Sequence, residues 1–169
     1  MIGEFKVNGP ILISDPCYDR GIWCQKEVDV KKGDWVAKVD YNQDESRVKE
    51  LIVLHKDNRY PSEKTWELLC DTIAVDSGSC GIFDSKAFSN EEYIPASFET
   101  EYRNRWLGFC CSFLRNVQMA GVFSHGVVSC SGYGDGCYTL YAAYNQNKEI
   151  IGLKLVFIKE FEEPEYSRN

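Results

Sequence analysis

The segment Cys137-Tyr138-Thr139-Leu140-Tyr141-Ala142-Ala143-Tyr144, Asn145-Gln146-Asn147-Lys148, Glu149-Ile150-Ile151-Gly152-Leu153-Lys154-Leu155-Val156-Phe157-Ile158 places a polar turn between two apolar runs. In the second run Ile151, Leu153, Leu155 and Phe157 fall on alternate positions and share one face. A period of two lays one face of an extended chain on a core, so the segment predicts an antiparallel hairpin.

Outward from this hairpin the same character continues. Residues 121–131 read as a strand, and toward the N-terminus short extended segments occupy 4–7, 10–14 and 34–41, where Trp35, Ala37 and Val39 alternate with Val36, Lys38 and Asp40. Residues 48–55 are rich in β-branched and aliphatic side chains and follow the turn Gln43-Asp44-Glu45-Ser46, a second hairpin. Residues 71–76 are extended, and Gly78 and Gly81 bracket a tight turn or bulge. One helix is predicted over 98–114, because Phe98, Tyr102, Trp106, Phe109 and Phe113 fall at three- and four-residue steps. Glu99, Arg103 and Arg105 take its other face, so the aromatic stripe packs on a sheet. The predicted class is α+β, mainly β: an antiparallel sheet or sandwich covered by one amphipathic helix. A single domain over 1–169 is expected, with an acidic, solvated tail from about 159 onward.

Nineteen basic against 26 acidic residues give a formal charge of −7, and the basic residues do not cluster. This balance repels polyphosphate backbones, which argues against broad nucleic-acid binding and leaves small cations, basic protein faces, or ligands held by local hydrogen bonds. The first residues carry no charged leader with an apolar run behind it, and no apolar run approaches the ~20 residues of a membrane span, so no membrane contact and a cytoplasmic location are expected. Eight cysteines in such a chain read as thiols rather than bridges. Cys110 and Cys111 are adjacent, and the six-residue gaps Cys17 to Cys24 and Cys130 to Cys137 are wider than structural zinc spacing.

The chemistry-bearing constellation is Ser129-Cys130-Ser131-Gly132-Tyr133-Gly134-Asp135-Gly136-Cys137-Tyr138, with glycines alternating around one aspartate. Alternating glycines permit positive φ and close backbone approach, so the loop is suited to aim N–H groups at an anion or hold Asp135 toward a cation or donor. It runs from strand to strand and lacks Gly-Lys-Ser/Thr, which sets aside dinucleotide and Walker loops. Asp15, in Ser14-Asp15-Pro16-Cys17-Tyr18, and Asp76, in Asp76-Ser77-Gly78 with Asp84 beyond, likewise end strands beside small residues. Each has a plain reading as a turn whose aspartate caps its own backbone. If Asp15, Asp76, Asp84 and Asp135 converge, with Ser77, Ser131, Gly132, Gly134 and Gly136 shaping the walls and Tyr18, Tyr133 or Tyr138 for stacking, they form an acidic pocket for a divalent cation or a hydrogen-bonding ligand. The bases available to a nucleophile are His55 and His125, the latter a partner for Cys17, Cys130 or Cys137 in a cysteine–histidine enzyme.

Three segments together, Ile13-Ser14-Asp15-Pro16-Cys17-Tyr18, Val75-Asp76-Ser77-Gly78-Ser79-Cys80-Gly81-Ile82-Phe83-Asp84 and Gly126-Val127-Val128-Ser129-Cys130-Ser131-Gly132-Tyr133-Gly134-Asp135-Gly136, look like the motifs of an uncharacterised family, a domain of unknown function in bacteria, many of them Firmicutes, and in their phages. The resemblance runs in order over residues 11–157 and departs at Cys130, where serine is expected, and at Ser79, where a residue such as glutamine is expected. It implies an intracellular β-rich domain whose aspartates and glycines share one site, and it supplies no reaction. A phage setting implies a non-enzymatic binding protein, an inhibitor or sequestering protein acting on a host protein or a small nucleotide-like signal. The alternatives are a metal-assisted hydrolase using the same aspartates, and a protein-interaction module presenting Trp23, Trp35 and Trp66.

Overall fold

Eleven strands and one α-helix are seen in a computed structural model that describes residues 1–62 and 65–159. The strands are β1 (Gly3–Val7), β2 (Ile11–Ser14), β3 (Lys26–Val28), β4 (Gly33–Tyr41), β5 (Val48–His55), β6 (Glu67–Val75), β7 (Ser79–Asp84), β8 (Ala120–Phe123), β9 (Gly126–Cys130), β10 (Gly136–Tyr144) and β11 (Ile150–Val156). They form two antiparallel sheets, a first of order β1-β4-β5-β11-β10-β6 and a second of order β3-β2-β7-β9-β8. The mainly β class with one covering helix, α1 (Arg105–Ser112), is therefore the observed one. The acidic tail, from residue 160 on, lies outside the described residues.

The inward faces are set by the period-two alternation. Trp35, Ala37 and Val39 of β4 sit opposite His55, Val53 and Leu51 of β5. They meet Ile73, Ile82, Val127, Leu140, Leu153 and Leu155 in a core filled from both sheets. The last hairpin pairs Leu153 with Ala142 and Leu155 with Leu140, then slips between Ala143↔Gly152 and Tyr144↔Ile150. That slip leaves Ile151 without a cross-strand partner, and Ile150 instead of Ile151 joins the inter-sheet core with Leu153, Leu155 and Phe157. A bulge shifts the phase of a strand by one residue, so the alternation predicted for residues 151–157 holds only from Leu153 onward.

The second sheet buries both faces. Leu12, Phe83 and Val128, alternating with the inward Ile13, Ile82 and Val127, form a second core with Phe88, Ile94, Trp106, Phe109 and Phe123. Helix α1 covers this face, and it is shorter than the aromatic spacing predicts. Asn104 caps it, its Oδ1 accepting from the N–H of Leu107 at 3.1 Å. The preceding chain folds back on the helix, with Thr100 against Gly108 and the Arg105 guanidinium donating to the carbonyls of Pro95 and Phe98. Phe98 reaches the aromatic cluster from this loop, while Tyr102 stays outside it, 43% exposed. The three- and four-residue steps thus joined a helix to a loop that shares its core.

Gly81 corrects another expectation: it lies inside β7, paired with Ser14 and Val128, and bounds no turn. A Cβ there would run into the Phe83 ring and come within 2.7 Å of the Val127 carbonyl oxygen. The edge strand β6 carries two register slips against β10, plus exposed Glu67 and Asp71. Bulges and charges of this kind blunt an edge against pairing with another chain. No helix of the described residues is long and apolar enough to cross a membrane.

Two links carry the chain from sheet to sheet at one end of the sandwich. Residues 76–78 pass from β6 in the first sheet to β7 in the second, and residues 131–135 pass from β9 in the second to β10 in the first. These links, with the stretch that follows β2, contain most of the predicted site.

Candidate functional site

Asp15 follows the last residue of β2 and is fully buried. Its Oδ1 accepts from the Cys17 N–H and the Ser77 hydroxyl, each at 2.7 Å, and its Oδ2 accepts from the N–H groups of Asp76 at 2.8 Å and Ser77 at 2.7 Å. The Gly78 N–H, next in line, donates to Asp135 Oδ1 at 3.0 Å. Three successive N–H groups therefore form an anion-binding nest, and the anions they hold are the chain's own carboxylates. The Ser77 hydroxyl also touches Ser79 Oγ at 2.8 Å.

The glycine loop is closed on itself in the same way. Ser131, buried, receives the N–H of Gly134, sends its hydroxyl to the Gly134 carbonyl, and donates its own N–H to the Gly78 carbonyl. The Tyr138 hydroxyl donates to the carbonyls of Ser131 and Gly134. Gly132 and Gly134 have φ of 59° and 115°, values that a side chain resists, and at Gly132 a Cβ would also press on Phe157 and Ile158. Gly136 opens β10 opposite Val75. Tyr133 projects outward, 74% exposed, with the Arg47 guanidinium 5.8 Å from its ring centroid.

Asp15, Asp76 and Asp135 thus meet, and Asp84 does not join them. It ends β7, five residues from Ser79, which at about 3.3 Å per residue is roughly 16 Å away. There it caps local backbone, accepting from the N–H of Asn8 at 2.6 Å and of Lys86 at 3.0 Å. The four-carboxylate pocket is corrected to a three-carboxylate corner in which Asp15 is saturated. Among the described residues no group of three or more His, Cys, Asp or Glu side chains is arranged to hold a metal ion.

His125 shares the Asp84 end, its carbonyl accepting the Asp84 N–H at 2.9 Å. It sits at the β8–β9 hairpin tip with Nδ1 2.9 Å from Ser124 Oγ and its ring edge against Tyr93, beside a cleft of about 900 Å³ lined also by Glu91 and Arg105. Cys130 lies at the far end of β9, and Cys17 and Cys137 flank the aspartate corner, so no cysteine–histidine pair forms there. His55 is buried against Trp35, with Nε2 3.0 Å from the Lys32 carbonyl oxygen and Nδ1 3.3 Å from the Asp57 backbone nitrogen.

The eight cysteines are free thiols. Cys17 is pushed up to about 12 by burial first, then by its hydrogen bond to Asp15 and the charges of Asp15 and Asp76. Tyr18 donates its hydroxyl to Asp76 Oδ2 at 2.7 Å, and burial together with that bond raises its pKa. A thiol held neutral in this way is a poor nucleophile.

The exposed side of the corner is built by the loop after Asp15. Gln25 braces it: its Oε1 accepts from the N–H groups of Gly21 and Ile22, and its Nε2 donates to Ser14 Oγ and the Asp19 carbonyl. Trp23 is 76% exposed on this loop, and the next residue, Cys24, is buried. Of the other tryptophans expected at the surface, Trp35 is fully buried and Trp66 lies over Gly152 on the first sheet, with the Lys154 ammonium 5.1 Å from its ring. Gln25 carries no sequence signal of its own; a polar residue flanked by a buried cysteine and a strand is visible as a brace only in three dimensions. No family model, curated protein or solved structure matches this chain.

Proposed function

We propose that the chain is a non-enzymatic binding protein that meets a protein partner through the corner carrying Trp23. The observation that carries this reading is the 76% exposure of Trp23 on a loop whose backbone is held by Gln25. A large indole kept in solvent on a pre-ordered loop loses little entropy on docking, and tryptophan is over-represented among residues that dominate interfaces. The Asp/Gly motifs serve this reading by fixing the loop's base, since Asp15 is spent on the 76–78 turn. An inhibitor or sequestering protein is one form of the same activity.

The small-ligand reading rests on Asp76 and Asp135, each exposed and each with one carboxylate oxygen bonded within the chain. The two separate in one experiment. Immobilised wild type, Trp23→Ala and Asp135→Ala are incubated with bacterial lysate, and the same proteins are melted against divalent metals, nucleotides and cyclic nucleotides. Capture of a defined protein by wild type and Asp135→Ala, lost with Trp23→Ala, supports the partner reading. Stabilisation by a metal or nucleotide that disappears in Asp135→Ala overturns it.

A further inference from the structure

We infer that Asn8 is a site of self-modification: its carboxamide is attacked by the Gly9 nitrogen, loses ammonia and becomes aspartate or isoaspartate, with His125 protonating the departing nitrogen. Residues 8–10 carry the chain from β1 in the first sheet to β2 in the second. Glycine after asparagine leaves the backbone nitrogen open to the preceding side chain, because no Cβ stands in the way. Asn8 is exposed, and among the described residues its carboxamide meets one polar group, His125 Nε2, 3.4 Å from Nδ2. The Gly9 N–H has no acceptor among the described residues, and a Cβ on Gly9 would find no atom within 4 Å, so the nucleophile is uncommitted and uncrowded. The imidazole is held in place, with Nδ1 2.9 Å from Ser124 Oγ and its ring against Tyr93.

Other asparagines lack this freedom. Oδ1 of Asn42, Asn90, Asn104, Asn116 and Asn145 each accepts a backbone N–H, and each of these residues precedes one with a side chain. In the analogous pair Asp135-Gly136 the carboxylate holds the Gly78 N–H and the glycine opens β10.

The reaction needs only water. The Gly9 nitrogen gives its proton to solvent and bonds to Asn8 Cγ. The Cγ–Nδ2 bond breaks as that nitrogen takes a proton from His125 Nε2 and leaves as ammonia, and His125 regains a proton from water. Water then adds to either carbonyl of the resulting succinimide. The aspartyl product sets a carboxylate where the carboxamide met His125. The iso product adds one backbone atom between two ties of this link: the Asn8 N–H on Asp84 Oδ2 at 2.6 Å, and the Pro10 carbonyl accepting from Ser85 N–H at 2.8 Å.

The test incubates wild type, Gly9→Ala and His125→Ala in mildly alkaline buffer, folded and in urea, and follows the digested peptides by mass spectrometry. In folded wild type the peptide spanning Asn8 is expected to gain the mass of an amide-to-acid exchange before any other asparagine peptide. Conversion should fall several-fold in Gly9→Ala, where the methyl meets open space, and in folded His125→Ala. In urea wild type and His125→Ala should convert at the same rate, since the imidazole then no longer faces the carboxamide. His125→Gln, which keeps a polar side chain but passes on no proton, replaces His125→Ala if thermal melts show the latter unfolded. Earlier conversion at another asparagine, or none at Asn8, overturns the site. Equal rates in folded wild type and the folded His125 variant overturn the role of the imidazole.

Discussion

Ser77 binds Asp15 twice, through its N–H to Oδ2 and its hydroxyl to Oδ1, both at 2.7 Å. Two residues 62 positions apart in sequence thereby clamp the end of β2 to the link between β6 and β7. The clamp joins the two sheets where the chain crosses between them.

Breaking it has a predictable cost. Asp15→Asn replaces a four-fold acceptor with one oxygen and an NH₂ group, leaving buried donors unmatched at about 1–3 kcal/mol each. A loss of about 3 kcal/mol is expected, or a fall in Tm of roughly 6–12 °C for a domain of this size. Ser77→Ala should cost about 1 kcal/mol. Urea and thermal unfolding measure both, and an Asp15→Asn protein as stable as wild type would remove the clamp from the account.

Gly81→Ala tests the packing of the second sheet. The added methyl meets the Phe83 ring and, at 2.7 Å, the Val127 carbonyl, which is backbone and cannot swing aside. Overpacking of this kind costs about 1–3 kcal/mol. A neutral Gly81→Ala in denaturant melts would mean that the strand shifts freely at this point.

The thiol of Cys17 is expected to resist modification. Raised to about 12 from an ordinary 9.0, it carries roughly a thousandth of the usual thiolate at pH 8. Under native conditions a thiol reagent should label the exposed Cys137 well before Cys17, as mass spectrometry of the labelled peptides would show. Asp76→Asn removes a negative neighbour whose effect is smaller than that of burial or Asp15, and should speed Cys17 labelling modestly; slower labelling contradicts the assigned cause.

The same shifts set an alkaline limit. Cys17, Cys80, Cys110, Cys111 and Cys130 all have pKa values raised by burial. Above an ordinary thiol pKa the unfolded chain releases these protons while the folded one keeps them, so the unfolded state gains. Stability should therefore hold below about pH 9 and fall steadily above it. A melting temperature flat from pH 8 to 11 would contradict this.

Trp23 and Trp35 should respond oppositely. Trp35→Ala removes a fully buried ring and should cost about 3–5 kcal/mol. Trp23→Ala should change stability by less than about 0.5 kcal/mol while abolishing capture. A large destabilisation by Trp23→Ala, read by urea unfolding, would make the indole a structural prop instead.

The alternation of Trp35, Ala37 and Val39 and the hairpin turns were legible because period-two burial and turn chemistry are local properties. The phase slip at Ile151 was not, since a bulge is decided by pairing across strands. Residues 98–114 misled because aromatics at helical spacing pack on one core whether or not a helix joins them, and the stop at Asn104 depends on Thr100 folding back onto Gly108. At the site, the meeting of Asp15, Asp76 and Asp135 was visible as a shared form, an aspartate closing a strand beside a small residue. Asp84 has the same form and a separate task, because the sequence does not say which end of a strand faces which. Gln25 and the outward turn of Trp23 had no local signature at all.

Ser14 Oγ accepts from Gln25 and donates to the Asp15 carbonyl, so the loop carrying Trp23 and the clamp between the sheets share one anchor. A scan of every substitution in this chain would thus divide into two maps. Positions such as Asp15, Ser77 and Ser131 would score as intolerant in any assay, including one that only measures how much protein accumulates. Trp23 would be silent in the abundance assay and costly only where a partner is present. The motif that stands out most in the sequence would then mark the scaffold, and the recognition surface would be the set of positions where the two maps disagree.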